Sequence, residues 1–352
     1  MSHAKTPLFI ALTALALGLS GCGGGIESDD AGPTGVDAEA VDAEATAAAD
    51  ERESALAVGD PRLTAAQNTA NSTSNGCAAI RPFYWEIGNR DGRQASGAVI
   101  KSRTGTVYTA TTQVPLASAS KWLYAAYVVQ RKAGQVDADD IRMLTMRSGH
   151  ASLGECLQNQ TVQSCLDYGN NGTYTAAWDN SFYYDGGHMQ KHASVNGLAA
   201  ATNATLGVAV RAQLGKDIVI NYARPQPAGG AVANADAYAK FLRKLLKGEL
   251  RLGSMLGSHA ACTSPSLCPA GQATWSPVEQ LGNVHYSLGH WVEDDPSGDG
   301  AFSSGGTLGF YPWIDAGKTT YGVVSRVQTD GGPASRWCGR LIRKAWMTGK
   351  AQ

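Results

Sequence analysis

An excess of either charge is missing from this chain, in which 29 lysines and arginines face 30 aspartates and glutamates for a formal net charge of −1. A nucleic-acid partner calls for a basic face that displaces counterions, so the balance argues against one. Cys-x-x-Cys pairs are absent, which removes the usual signature of a zinc site. No internal repeat is visible, so a solenoid or propeller is excluded. Large apolar residues are almost missing between Cys22 and about Asn75, where Ala, Asp, Glu, Ser and Thr dominate. Such a composition cannot bury enough surface to offset chain entropy, and 22–75 reads as a disordered acidic tether. The apolar run at 8–19, after Lys5, is too short for a comfortable membrane span and reads as an export signal over 1–21.

What is present describes an ordinary globular domain over 76–352, with 43% hydrophobic and 17% charged residues in the whole chain. Leu19-Ser20-Gly21-Cys22 resembles a bacterial lipobox, which implies that Cys22 becomes the lipidated first residue of the mature chain. Several acyl chains make a stable membrane anchor where one does not. The expected location is the bacterial cell envelope, facing the periplasm or the exterior; cleavage near Gly21 to a soluble secreted protein is the other reading. Outside the cytoplasm the remaining six cysteines suggest three disulfides. Cys156/Cys165 and Cys262/Cys268 are close enough to clip local loops, leaving Cys77 and Cys338 to tie the ends of the fold.

Strand-like segments at 83–88, 97–101 and 106–112 open the domain, with Asn89-Arg90-Asp91-Gly92 as a hairpin turn between the first two. Helical patterns follow at 120–132 and 237–247, the latter with Phe241, Leu242, Leu245 and Leu246 at helical spacing. Strands return at 310–314 and 321–327 before a closing helix at 334–347. Strands at both ends with helices between predict an α+β fold, in which the N- and C-terminal segments share one antiparallel sheet beside a helical lobe. A cleft between sheet and lobe is the expected site of a small ligand.

Ser118-Ala119-Ser120-Lys121 is the pattern that carries chemistry. On a helix, residues three apart share a face, so the Ser118 hydroxyl and the Lys121 amine come within reach of each other. A serine hydroxyl attacks a carbonyl well only when a neighbouring base takes its proton, and a desolvated lysine can serve.

Further segments, in order along the chain, carry a resemblance. They are Pro115 to Lys121; Leu144-Thr145-Met146-Arg147-Ser148-Gly149; Pro227-Ala228-Gly229-Gly230 with Asn234-Ala235-Asp236 and Phe241; and Tyr286-Ser287-Leu288-Gly289-His290-Trp291. Together they resemble the serine β-lactamase and penicillin-binding-protein-like hydrolases, particularly the branch of ampC-type β-lactamases and their esterase relatives. The resemblance implies a β-lactamase/transpeptidase-like fold and a Ser118 nucleophile. It also implies a tyrosine from a Tyr-x-Asn element, here within Phe182-Tyr183-Tyr184-Asp185-Gly186-Gly187-His188. An aromatic residue two positions before the tyrosine selects Tyr184; a one-residue shift selects Tyr183 and puts Asp185 where the asparagine stands.

The family's third element, Lys-Thr-Gly or His-x-Gly, is where this chain departs, since Ser304-Gly305-Gly306 holds its place. The cation that would receive a substrate carboxylate is missing from that triplet, which predicts poor turnover of β-lactams unless an arginine such as Arg326 or Arg147 replaces it. Ser304, Gly306 and Thr307 are the expected substrate-binding residues, the Thr307 N–H pairing with that of Ser118 as an oxyanion hole. His188 and His192 lie four apart, but Met189 stands where a zinc-protease helix needs glutamate and no third ligand is evident, so no metal or cofactor is expected.

The expected function is a serine hydrolase with catalytic Ser118, Lys121 and Tyr184, acting on esters or amides of small molecules or peptides. A non-catalytic or slowly acylating penicillin- or peptide-binding lipoprotein is the alternative.

Overall fold

The computed structural model describes residues 59–352; the export signal, Cys22 and the acidic segment before residue 59 lie outside them. Its first element corrects the expected tether boundary at 75, because Pro61–Asn71 forms a helix, α1. The Asp60 carboxylate accepts the Arg62 N–H at 2.9 Å, and Pro61 occupies the first turn, where a missing N–H costs nothing. Ala65, Ala66, Thr69 and Ala70 are its buried residues. The small side chains that suggested a tether here make a smooth face for packing on another helix.

Strands β1 (Phe83–Asn89) and β2 (Arg93–Val99) form the expected hairpin, closed by the Asn89 N–H on the Gly92 carbonyl at 3.0 Å. The strand expected at 106–112 is absent. Thr109 and Thr112 bond to each other there, Oγ1 to Oγ1 at 3.0 Å, and Thr112 Oγ1 accepts the Thr109 N–H at 2.9 Å. Local side-chain bonds of this kind compete with a ladder. Pairing begins only at β3 (Val114–Pro115).

The helical lobe comprises α2 (Ser120–Arg131), α3 (Ala138–Leu144) and α4 (Val162–Leu166), then, past the short strand β4 (Phe182–Tyr183), α5 (Gly187–Ala193) and α6 (Asn203–Leu214). β5 (Asn221–Tyr222) and β6 (Ala231–Ala233) pair with β3 in the order β3-β6-β5. α7 (Ala235–Lys247) buries Phe241, Leu242, Leu245 and Leu246 as its periodicity requires. The chain then adds β7 (Ala261–Cys262), β8 (Ala273–Trp275), β9 (His285–Tyr286), β10 (Trp291–Glu293), β11 (Ala301–Ser303), β12 (Tyr311–Ile314), β13 (Thr320–Ser325) and the closing helix α8 (Gly332–Thr348).

The main sheet runs β2-β1-β13-β12-β11-β10-β9-β7 and is antiparallel throughout. N-terminal β1 lies between β2 and C-terminal β13, with Trp85 opposite Val324 and Ile87 opposite Gly322. The two ends of the domain therefore share one sheet, as the strand pattern predicts. α1 packs against α8. The disulfides are Cys77–Cys338, Cys156–Cys165 and Cys262–Cys268.

A buried ionic cluster fixes α8 to the sheet. Glu293 on β10 accepts from Arg340 at 3.0 Å, Arg343 at 2.7 Å, Tyr311 at 2.7 Å and Ser303 at 2.6 Å. Arg340 also holds Asp295 at 2.6 Å. Burial alone would raise the Glu293 pKa, but the guanidinium groups of Arg343 and Arg340 bring it down to about 2.

Candidate active site

Ser118 sits in a single 3₁₀ turn, Ala117–Ala119, that runs directly into α2. Ala117 is held at φ +46°, a left-handed conformation that costs an L-residue roughly 1–2 kcal/mol. Its neighbours hold it there. The Leu116 N–H donates to Ala231 on β6 at 2.9 Å. From the other side Gly306 approaches so closely that a Cβ would lie 2.2 Å from the Leu116 carbonyl oxygen. Ser304 Oγ donates to the Ser118 carbonyl at 3.2 Å. Strand β6 and the β11–β12 connection thus clamp the turn between them.

Lys121, one turn along α2, is 4% exposed and donates to Ser118 Oγ at 3.0 Å and to the Ala228 carbonyl at 3.1 Å. Its Nζ also lies 4.7 Å from the centre of the Tyr184 ring. Tyr184 lines a cavity with Ser118, whereas Tyr183 stacks with Trp178 at 4.3 Å and Trp275 at 5.7 Å between centroids. Tyr184 is therefore the tyrosine that the structure brings to Ser118. Among the described residues no hydrogen bond joins its hydroxyl to Ser118 or Lys121; the contact is made by the ring face.

The cavity, about 150 Å³, is also lined by Val278, Trp291, Gly306 and Thr307. The Gly306 N–H is taken by Phe310 at 2.7 Å, while those of Ser118 and Thr307 have no partner among the described residues.

The Ser304-Gly305-Gly306 triplet brings no cation, but another segment does. Arg336, from the first turns of α8, lines the same cavity, and among the described residues its side chain makes no hydrogen bond or ion pair. It stands one turn before Arg340, so the Glu293 cluster positions it. The arginines considered from the sequence lie elsewhere. Arg326 donates to the Ile80 carbonyl at 2.6 Å, and Arg147 lines a separate depression with Cys262 and Gln272. Nothing in the linear sequence marks Arg336, which is brought to the cavity by α8 packing on the sheet.

A second cavity, about 170 Å³, also reaches Ser118 and is lined by Lys121, Asp185, Gln226 and Gly229. With Tyr184 as the site tyrosine, Gly186 takes the place of the family's asparagine, and Asp185 is the polar side chain facing in. Burial raises its pKa, against lowering by the Gly186 N–H and the Lys121 charge.

His188 and His192 have partners of their own inside the lobe. His188 bonds Ser148 Oγ at 2.7 Å and the Tyr183 carbonyl at 2.9 Å, and burial lowers its pKa to about 4. It joins the Ser148-Gly149 stretch to β4 and so sets the approach to Tyr184. His192 bonds Asp140 at 2.9 Å and the Tyr124 hydroxyl at 2.7 Å.

Several solved structures share this fold. The β-lactamase from Mycobacterium bovis matches at TM-score 0.53 and 15% identity, covering 76% of this chain and 95% of that one. The D-stereospecific amidohydrolase from Streptomyces sp. matches at 0.54 and 15%, covering 82% and 99%. EstCE1, a hydrolase with promiscuous acyltransferase activity, matches at 0.58 and 13%, covering 82% and 100%. This chain has the β-lactamase/transpeptidase-like fold. No family model and no curated protein matches the sequence. At such identities the likeness is one of fold, and that fold hosts more than one activity, so the chemistry has to be argued from the site.

Proposed function

We propose that the protein is a serine hydrolase that works through an acyl-enzyme. The observation that carries this reading is the 3.0 Å hydrogen bond between buried Lys121 and Ser118 Oγ on a strained, clamped turn. Ser118 Oγ attacks the carbonyl carbon of an ester or amide, and its proton passes to the Lys121–Tyr184 pair. The carbonyl π pair moves onto oxygen, where the free N–H groups of Ser118 and Thr307 receive it. Collapse re-forms the carbonyl and breaks the bond to the alcohol or amine, which leaves with a proton relayed from Lys121 through the Tyr184 hydroxyl. Water then releases the acyl group by the same steps in reverse. Arg336 gives the cavity a cation for an anionic substrate group, doing the work that Ser304-Gly305-Gly306 cannot. The amidohydrolase, hydrolase and acyltransferase names among proteins of this fold are consistent with that chemistry. The reading includes an envelope location with a lipid anchor on Cys22.

The ring-face contact of Tyr184 favours a second reading, a binder that acylates slowly or not at all. Labelling with a fluorophosphonate and a fluorescent penicillin in parallel separates the two. Labelling by either reagent that disappears in Ser118→Ala, together with turnover of a p-nitrophenyl ester, supports the hydrolase; failure of both reagents, or labelling without turnover, supports the binder. Fluorophosphonate labelling without penicillin labelling assigns ester-like substrates.

A further inference from the structure

We propose that the cavity between Arg147 and the free edge of β7 is a docking site for the C-terminal carboxylate of a peptide, separate from the catalytic cavities. It goes beyond the hydrolase reading and does not depend on it.

The cavity, about 260 Å³, is lined by Arg147, Asn180, Gln272, Ala260, Ala261 and Cys262, and shares no residue with either cavity at Ser118. Its lining carries one charge, that of Arg147, and no carboxylate. Arg147 is half-buried and firmly held at its base. Its N–H donates to the Arg142 carbonyl at 2.8 Å, its carbonyl accepts the Asn180 N–H at 2.8 Å, and its Nε donates to Thr145 Oγ1 at 3.1 Å. The two terminal guanidinium nitrogens have no partner among the described residues, so the fork that matches a carboxylate stays open. Asp179, next to Asn180 in the chain, is committed to Arg142 at 2.8 Å. Burial and the Arg142 charge both lower the Arg147 pKa, as befits a cation without a counter-ion. The side-chain amides of Asn180 and Gln272 are also without partners among the described residues, and their N–H groups suit the carboxylate lone pairs that the guanidinium leaves.

That the carboxylate belongs to a peptide follows from β7. It is the last strand of the main sheet, and outside its pairing with β9 its backbone makes no hydrogen bond among the described residues. An extended segment adds to such an edge by main-chain hydrogen bonds, which here brings its terminal carboxylate onto Arg147. The side chains of Ala260 and Ala261 are small and leave room for it, and the Cys262–Cys268 disulfide fixes the end of the strand.

The test titrates N-acetyl-trialanine, its C-terminal amide and acetate against the Ser118→Ala protein by ligand-detected NMR, so that turnover does not intervene. The tripeptide acid should bind at least about tenfold more tightly than its amide, the value of one hydrogen bond to a charged group, and should exceed acetate by a similar factor. Adding Arg147→Gln should bring acid and amide within about twofold of each other. Gln272→Glu, an isosteric change on an exposed residue, puts a carboxylate beside Arg147 and should remove the preference too, which keeps the test open if Arg147→Gln fails to fold. Arg336→Ala, in the catalytic cavity, should leave the preference unchanged. Equal binding of acid and amide, or an acid preference that survives either substitution, overturns the proposal. Loss of the preference in Arg336→Ala overturns it as well, because the carboxylate then sits in the catalytic cavity. So does acetate binding as tightly as the tripeptide, because the β7 edge then contributes nothing.

Discussion

Lys121 Nζ lies 4.7 Å from the centre of the Tyr184 ring, so the tyrosine meets the lysine with its face rather than its hydroxyl. The two roles of that ring, holding an ammonium and relaying a proton, can be separated by mutation. Tyr184→Phe keeps the face and removes the hydroxyl, and should lower turnover by roughly 10²–10⁴-fold, the range for a lost acid–base group. Tyr183→Phe, in the stack with Trp178 and Trp275, should stay near wild type. Steady-state kinetics on a p-nitrophenyl ester checks both, and the reverse order would assign the proton relay to Tyr183.

Ser118→Ala should abolish fluorophosphonate labelling and ester hydrolysis while leaving the far-ultraviolet circular dichroism unchanged. Lys121→Ala should be nearly as severe. Because the two act as a unit, the double variant should be little worse than Ser118→Ala. Substantial residual activity in Ser118→Ala would remove the nucleophile assignment.

Arg336→Ala should discriminate between substrates. A hydrogen bond to a charged group is worth about 1.5–3 kcal/mol, so kcat/KM for a carboxylate-bearing substrate such as nitrocefin should fall by about one to two orders of magnitude. Hydrolysis of uncharged p-nitrophenyl acetate should change little. Equal effects on both would show that Arg336 supports the cavity rather than recognising an anion.

Glu293 ties stability to pH. Its folded pKa of about 2 lies below the ordinary carboxylate range, so its contribution is fully present above about pH 4.5 and is lost as pH falls toward 2. Glu293→Gln leaves Arg340 and Arg343 without their shared carboxylate and should cost about 3–5 kcal/mol at pH 7. The variant should also lose stability less steeply below pH 4.5, with Asp140 and Asp295, also lowered, accounting for part of the slope that remains. Urea unfolding at several pH values checks sign and size.

The cysteines give a covalent test. Mass spectrometry of the mature protein without reductant should find acyl chains on Cys22 and no alkylation of the six others. Loss of Cys77–Cys338, with a sequence separation of 261, should destabilise more than loss of Cys262–Cys268, with a separation of 6, because closing a long loop restrains the unfolded chain more.

What the sequence by itself determined is what short-range periodicity encodes. Ser118 and Lys121 meet because they lie within a single turn, and their spacing is legible without any fold. The hairpin at Asn89 and α7 are legible for the same reason, since backbone geometry and apolar spacing are local. Even so, the low bulk of 61–71 was misleading. Alanines cannot form a core by themselves, and only the presence of α8 makes their smooth face a packing surface.

The tertiary structure alone decided which distant charges face Ser118. Arg336 comes from a helix more than 200 residues later, placed by the ionic cluster around Glu293. Asp185 faces the nucleophile because of the way β4 turns into α5, and Tyr184 rather than Tyr183 reaches the cavity because alternate residues of a strand point to opposite sides. Contacts of that kind depend on how elements pack, and packing is specified by all the surfaces that meet, which no spacing within one segment records.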